Sequence, residues 1–177
     1  MSVEIVTAEQ LAQVESSRWL QNRVRDLVST LLASIFWIDQ DYSRWLPEMI
    51  KAGKYDYFPA QINSINFPLQ RGVGIVSFQL VLAHFDKEMD SERALRELDK
   101  IGLRAATLSE LLALGESFPE LQRKFEIVTL GSSFVRRDGR RSVTGLDRWL
   151  GGRKLDLLVF QRNWGERVRF AAVPKEV

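Results

Sequence analysis

The hydrophobic periodicity of this chain changes at Glu126, and that change limits the fold more than any other feature. Before Glu126 most periodic segments carry helix signals. After it they alternate as strands do. Residues 126–134 form one extended run. Asp138-Gly139 then marks a hairpin, since glycine supplies the positive φ of a tight primed turn. Ser142 to Leu146 is the predicted return strand. Lys154 to Phe160 and Val168 to Val173 are two more, joined by residues 161–167. Strands following helices predict an α+β fold: a mixed or antiparallel sheet with two flanking helices.

The helix signals are specific. Thr7-Ala8-Glu9-Gln10 has the form of a capping box and predicts a helix to about Phe36, with Leu11, Val14, Val24, Leu27, Val28, Leu31, Leu32 and Ile35 on one face. A second helix is predicted over about 42–52, with Pro47 in its first turn or the start slightly later, and Gly53 ending it by tolerating a left-handed conformation. Residues 54–72 read as loop, and 74–85 as a strand. Asp90-Ser91 opens a helix whose apolar face is Ala94, Leu95, Leu98 and Ile101, and Gly102 stops it. Thr107-Leu108-Ser109-Glu110 is a second capping box, and Ser117 to Glu120 starts a short further turn. The predicted organisation is an N-terminal helical region, 1–70, followed by an α+β domain, 71–177.

Composition removes several chemistries. Without cysteine there are no disulfides, thiolate metal sites or cysteine nucleophiles, which fits a reducing compartment. The first ten residues have neither the basic start nor the apolar core of a signal peptide, and the apolar stretch from Leu27 to Ile38 is interrupted by Ser29, Thr30 and Ser34. A cytoplasmic protein that does not enter a membrane is expected. The glycines at 72–74 are not followed by the Gly-Lys-Ser/Thr of a phosphate loop. The acidic run from Asp86 to Asp90 reads as a loop and helix cap, although a carboxylate site around Asp86, Glu88 and Asp90 is the one enzymatic reading available. A lone histidine, His84, supports no catalytic triad. No cofactor and no metal are expected. Charge is unevenly spread: residues 134–177 hold 11 Lys+Arg against 5 Asp+Glu, a net of +6 in a chain of net +2.

Residues 94–115 carry a resemblance. Gly102, Leu103, Arg104, Thr107 and Glu110, set between two helices, resemble the signature of the formylglycine-generating-enzyme-like (sulfatase-modifying-factor-like) branch of the C-type-lectin-like fold. Ala105 or Ala106 stands where that branch usually has proline. Residues 153–157, Trp164 and 169–173 resemble its last strands. The span from Met49 to Val173, about two-thirds of the chain, is also similar to a large uncharacterised bacterial family, through Ala52-Gly53-Lys54, Leu103-Arg104, Ala106-Thr107, Glu110-Leu111-Leu112, Pro119 to Arg123, Leu130-Gly131-Ser132 and Arg169-Phe170. That family brings no known activity.

The resemblance implies a C-type-lectin-like domain preceded by helices. The enzymes of that branch work through cysteines, so their activity does not carry over. None of the five prolines stands in a calcium-dependent sugar-binding triplet. What remains is a non-enzymatic binding module that presents its C-terminal sheet and loops to a protein or other macromolecule. The implied contact residues are Asp147, Arg148, Trp149, Arg162, Asn163, Trp164, Glu166 and Arg167. Tryptophan and arginine often dominate binding hot spots. The same residues also read as ordinary core tryptophans and solvated hairpin ends. The alternative is nucleic-acid binding by the basic C-terminal hairpins. Oligomeric state is open.

Overall fold

A computed structural model of the chain describes residues 18, 21, 34–69, 72 and 74–175. The chain divides into two compact units, 1–35 and 36–177. In the first, Arg18 and Gln21 have helical backbone. The Thr7 capping box and most of its predicted helix lie outside the described residues. The second unit starts at Phe36 and takes in the elements between 36 and 69.

The helix predicted to Phe36 has already become strand at its end. Strand β1 spans Ile35–Asp41. Trp37 and Asp39 are exposed while Ile38 and Gln40 are buried, which is the two-residue period of a half-covered sheet. Helix α1 (Leu46–Gly53) follows, with Pro47 in its first turn as expected. Its left-handed residue is Lys54, at φ 50°, and not Gly53. Gly53 is needed for a different reason: the Tyr55 ring occupies the space where its side chain would be.

Strand β2 (Ile75–Ala83) is followed by the two-residue strand β3 (Met89–Asp90). Helix α2 (Ser91–Lys100) is capped by Asp90, which accepts from the Arg93 amide at 2.7 Å. Ile101, expected on its apolar face, is 57% exposed because the helix has ended and Gly102, at φ +76°, redirects the chain. Then come β4 (Leu103–Ala105), α3 (Leu108–Ser117) and the short α4 (Leu121–Lys124). The capping box of α3 forms as predicted: Thr107 Oγ1 accepts from the Glu110 amide, and Glu110 Oε2 accepts from the Thr107 amide at 2.6 Å.

The remaining strands are β5 (Ile127–Val135), β6 (Arg141–Trp149), β7 (Gly152–Val159), β8 (Asn163–Trp164) and β9 (Arg169–Pro174). The main sheet runs β1-β2-β9-β5-β6-β7, with β4 also pairing β9, and β3 pairs β8 as a separate ribbon. β5 and β9 pair in parallel, while β2–β9, β4–β9, β5–β6, β6–β7 and β3–β8 pair antiparallel. The result is a mixed α/β unit: a curled, mostly antiparallel sheet with four helices among the described residues.

Alternating residues send the sheet into two cores. Leu80, Leu82, Ile127, Leu146, Ala171 and Val173 pack with α1 and α3. Ala83, Val128, Val143, Phe170 and Ala172 pack with α2 and the β3–β8 ribbon. The register of β5 slips between Thr129 and Ser133. This bulge receives the start of α3: the Gly131 amide donates to the Ala106 carbonyl at 3.1 Å, and Ser132 Oγ accepts from the Leu108 amide at 2.9 Å. A side chain at Gly131 would collide with the Ala105 and Ala106 carbonyls.

Candidate binding cleft

Strand order decides which distant residues meet. Ala83, at the end of β2, pairs with Phe170 near the start of β9. Arg169 at that start pairs with Ile127 at the start of β5, and Ile127 pairs with Leu146 near the end of β6. One end of the sheet therefore gathers residues 84–86, 122–126, 147–148 and 166–169. Eleven residues from these four segments line a cleft of about 470 Å³.

Four of the eight sequence-predicted contact residues line it: Asp147, Arg148, Glu166 and Arg167. Trp149, the next residue along β6, is outside the lining and 53% exposed, with its ring 5.6 Å from that of Tyr57. Arg162 and Asn163 are exposed but outside the lining. Arg162 reaches toward Glu126 at 3.6 Å.

Trp164, expected at the contact face, lies in the core. It is fully buried, facing Phe170 edge-on, and its indole Nε1 donates to Ser91 Oγ at 2.8 Å. Ser91 Oγ donates in turn to the Phe160 carbonyl at 2.5 Å. The tryptophan ties the β3–β8 ribbon to the start of α2, and its polar atom is satisfied as burial demands. Two tryptophans that look alike in sequence thus have opposite positions.

Sequence reasoning missed Glu126 and Arg169 as site residues and did not join His84 or Asp86 to this cleft, which all four share. Nothing local marks them, since only strand order brings them together. His84 Nε2 donates to the Glu166 carbonyl at 2.8 Å, which uses that nitrogen to hold the loop before β9. Asp86 lies 4.0 Å from the imidazole, too far for a hydrogen bond. Asp86 and Asp90 are split between roles, the first lining the cleft and the second capping α2.

The cleft floor is partly desolvated. Burial pushes the Glu126 carboxyl above its ordinary range, with Arg162 opposing and Asp147 and Asp156 adding to the rise. Burial pulls Arg169 down, with Asp86 opposing. The Arg169 guanidinium lies over the Phe125 ring at 4.8 Å, and its Nη1 is shut from solvent with no hydrogen-bond partner among the described residues.

Among the described lining residues, Asp86, Glu126, Asp147 and Glu166 supply four carboxylates, and Lys124, Arg148, Arg167 and Arg169 supply four cations. The arrangement can pair charges of both signs across a shaped surface. It holds no hydroxyl or thiol nucleophile, and no group of three His, Asp or Glu residues among the described ones could hold a metal ion.

Elsewhere in the basic C-terminal segment the charges are largely neutralised. Arg140, Arg141, Lys154, Arg162 and Lys175 each face a carboxylate. Arg153 is buried, donating to the Gly53 and Gly115 carbonyls and to Gln122 Oε1.

Among the described residues no helix is long and apolar enough to cross a membrane. Comparisons with protein-family models, curated proteins and solved structures return no match.

Proposed function

We propose that this chain is a non-enzymatic binding module whose ligand, a protein, is held at the end of the sheet formed by β2, β9, β5 and β6. One observation carries the reading: Asp147, Arg148, Glu166 and Arg167 line a single cleft whose cations and carboxylates balance four to four. A surface with both signs complements another protein, because opposite charges steer and register a docking partner. It does not suit a polyanion, since four carboxylates would repel phosphates, and five of the eleven basic residues after residue 133 already face acidic partners. Trp149 and Tyr57 supply the amphipathic ring area typical of a binding anchor.

The finer fold reading, a C-type-lectin-like domain preceded by an N-terminal helical region, belongs to the same proposal. It is supported by the helix, positive-φ Gly102, Arg104 and capped second helix over residues 91–117, the order of the signature in the sequence.

The test is site-directed photocrosslinking from position 148, identification of the captured protein, and affinity measurement with that purified partner. Arg148→Ala, Trp149→Ala and Arg167→Ala should each weaken binding roughly tenfold or more. Arg137→Ala, in the hairpin at the far end of β6, should leave it unchanged. A control titration uses mixed single-stranded DNA and RNA. Nucleic-acid binding that falls steeply with salt and ignores Trp149→Ala would replace this reading with the polyanion one.

A further inference from the structure

A second cleft, independent of the charged one, lies along α1. Lys54 turns the chain sharply out of the helix, and residues 55–64 return beside it. This strap is locked by its own hydrogen bonds. Asn63 Nδ2 donates to the Ala60 carbonyl at 2.9 Å, and Asn63 Oδ1 accepts from the Ile65 and Asn66 amides at 3.0 and 3.1 Å. The Phe67 amide donates to the Asn63 carbonyl at 2.9 Å. Between helix and strap is a half-open cleft of about 650 Å³, a size that suits a small ligand.

The cleft has apolar walls and a charge of one sign. Pro47, Tyr55, Phe58 and Ala60 supply its accessible apolar walls, over a floor of the buried core residues Leu46, Ile50 and Ile62, and the charged residues of the described lining are Lys51 and Lys54 alone. Neither lysine faces a carboxylate among the described residues, and both are exposed. They stand together at the C-terminal end of α1. The Gly53 carbonyl at that end already accepts from the Arg153 guanidinium, so the negative end of the helix dipole does little to offset the two lysines. An apolar trough ending in an unneutralised cation pair complements a molecule with an aliphatic body and an anionic head.

We infer that the α1 cleft is a binding site for a free alkyl carboxylate, with the chain along Pro47, Tyr55, Phe58 and Ala60 and the carboxylate at Lys51 and Lys54. The site does not depend on the reading of the charged cleft.

The test is calorimetric titration of the full chain with octanoate, decanoate and dodecanoate, each below its micelle concentration, and with 1-decanol as the neutral match. Saturable binding of one molecule per chain is expected, tightening by up to about fourfold per added methylene. Lys51→Gln with Lys54→Gln should weaken decanoate at least fivefold and leave decanol unchanged. Ala60→Trp, at an exposed lining position, should abolish both with an unchanged melting temperature. No saturable binding, or binding that survives Ala60→Trp, would overturn the site. Equal effects of the lysine changes on acid and alcohol would overturn the anionic class. Binding to phosphatidylglycerol vesicles without binding of the free acids would overturn the ligand in favour of a membrane surface.

Discussion

Arg153 is the residue around which the α1 and α3 side of the sheet is assembled. Its guanidinium donates to the carbonyls of Gly53 in α1 and Gly115 in α3, and to Gln122 in α4, and lies over the Tyr55 ring at 5.0 Å. Gly53 and Gly115 leave room for that ring, since a side chain at either position would run into it. Burial raises the Tyr55 phenol well above its ordinary range, with Arg153 partly opposing. The Tyr55 hydroxyl is buried with no hydrogen-bond partner among the described residues. An unpaired buried hydroxyl costs desolvation and returns nothing. Tyr55→Phe should therefore leave stability unchanged or raise it by up to about 1 kcal/mol in urea unfolding. A loss of that size would show that the hydroxyl is satisfied. None of this was legible in sequence, where Arg153 only opens the stretch 153–157 that resembles a late strand. Trp149 and Trp164 teach the same lesson: residue type marks both for contact, and only packing separates an exposed ring from a core one.

At the scale of elements, local chemistry predicted caps well and turns less well. Asp90 and the Thr107–Glu110 box start helices where expected, because a cap needs only residues within one turn of itself. The primed turn expected at Asp138-Gly139 is elsewhere. At that tip only Gly139 has positive φ, the Gly139 amide donates to the Arg136 carbonyl at 2.9 Å, and a three-residue loop with a glycine bulge results. The two-residue turn with both φ positive is Leu150-Gly151, at φ 47° and 81°, closing β6 onto β7 at the Trp149–Gly152 pair. Register chose the turn here, and leucine bears the strain. A left-handed conformation costs an L-residue about 1–2 kcal/mol, of which glycine's greater unfolded-state entropy offsets part. Leu150→Gly should thus stabilise the protein by about 0.5–1 kcal/mol in denaturant unfolding. Leu150 is also 87% exposed beside Trp149, so the binding reading expects the same change to weaken the partner. Stabilisation with intact binding would remove the β6–β7 tip from the contact surface.

At the scale of the whole molecule, sheet order brings positions 84, 126, 147 and 169 into one cleft and strips part of the water from Glu126 and Arg169. Glu126 records the effect. Its carboxyl titrates higher in the folded chain than in the unfolded one, so folding is penalised wherever Glu126 is ionised in both states, and the penalty is gone once pH falls below its unfolded value. Glu126→Gln should then be at least as stable as the parent at pH 7. Its advantage should shrink on acidification and vanish below about pH 4, the unfolded carboxylate range. Urea midpoints across pH 3–8 check this, and a midpoint difference that grows toward low pH would contradict the sign. By itself the sequence determined what depends on neighbours along the chain: helix caps, strand periodicity after Glu126, exclusion of cysteine chemistry, and which end of the protein is basic. Those properties come from side chains within a few residues of one another. Only the tertiary structure decided the β1 strand, the burial of Trp164, the pairing of the basic residues and the membership of both clefts. Each of these depends on which strands lie side by side, and that order is set by packing across the whole sheet.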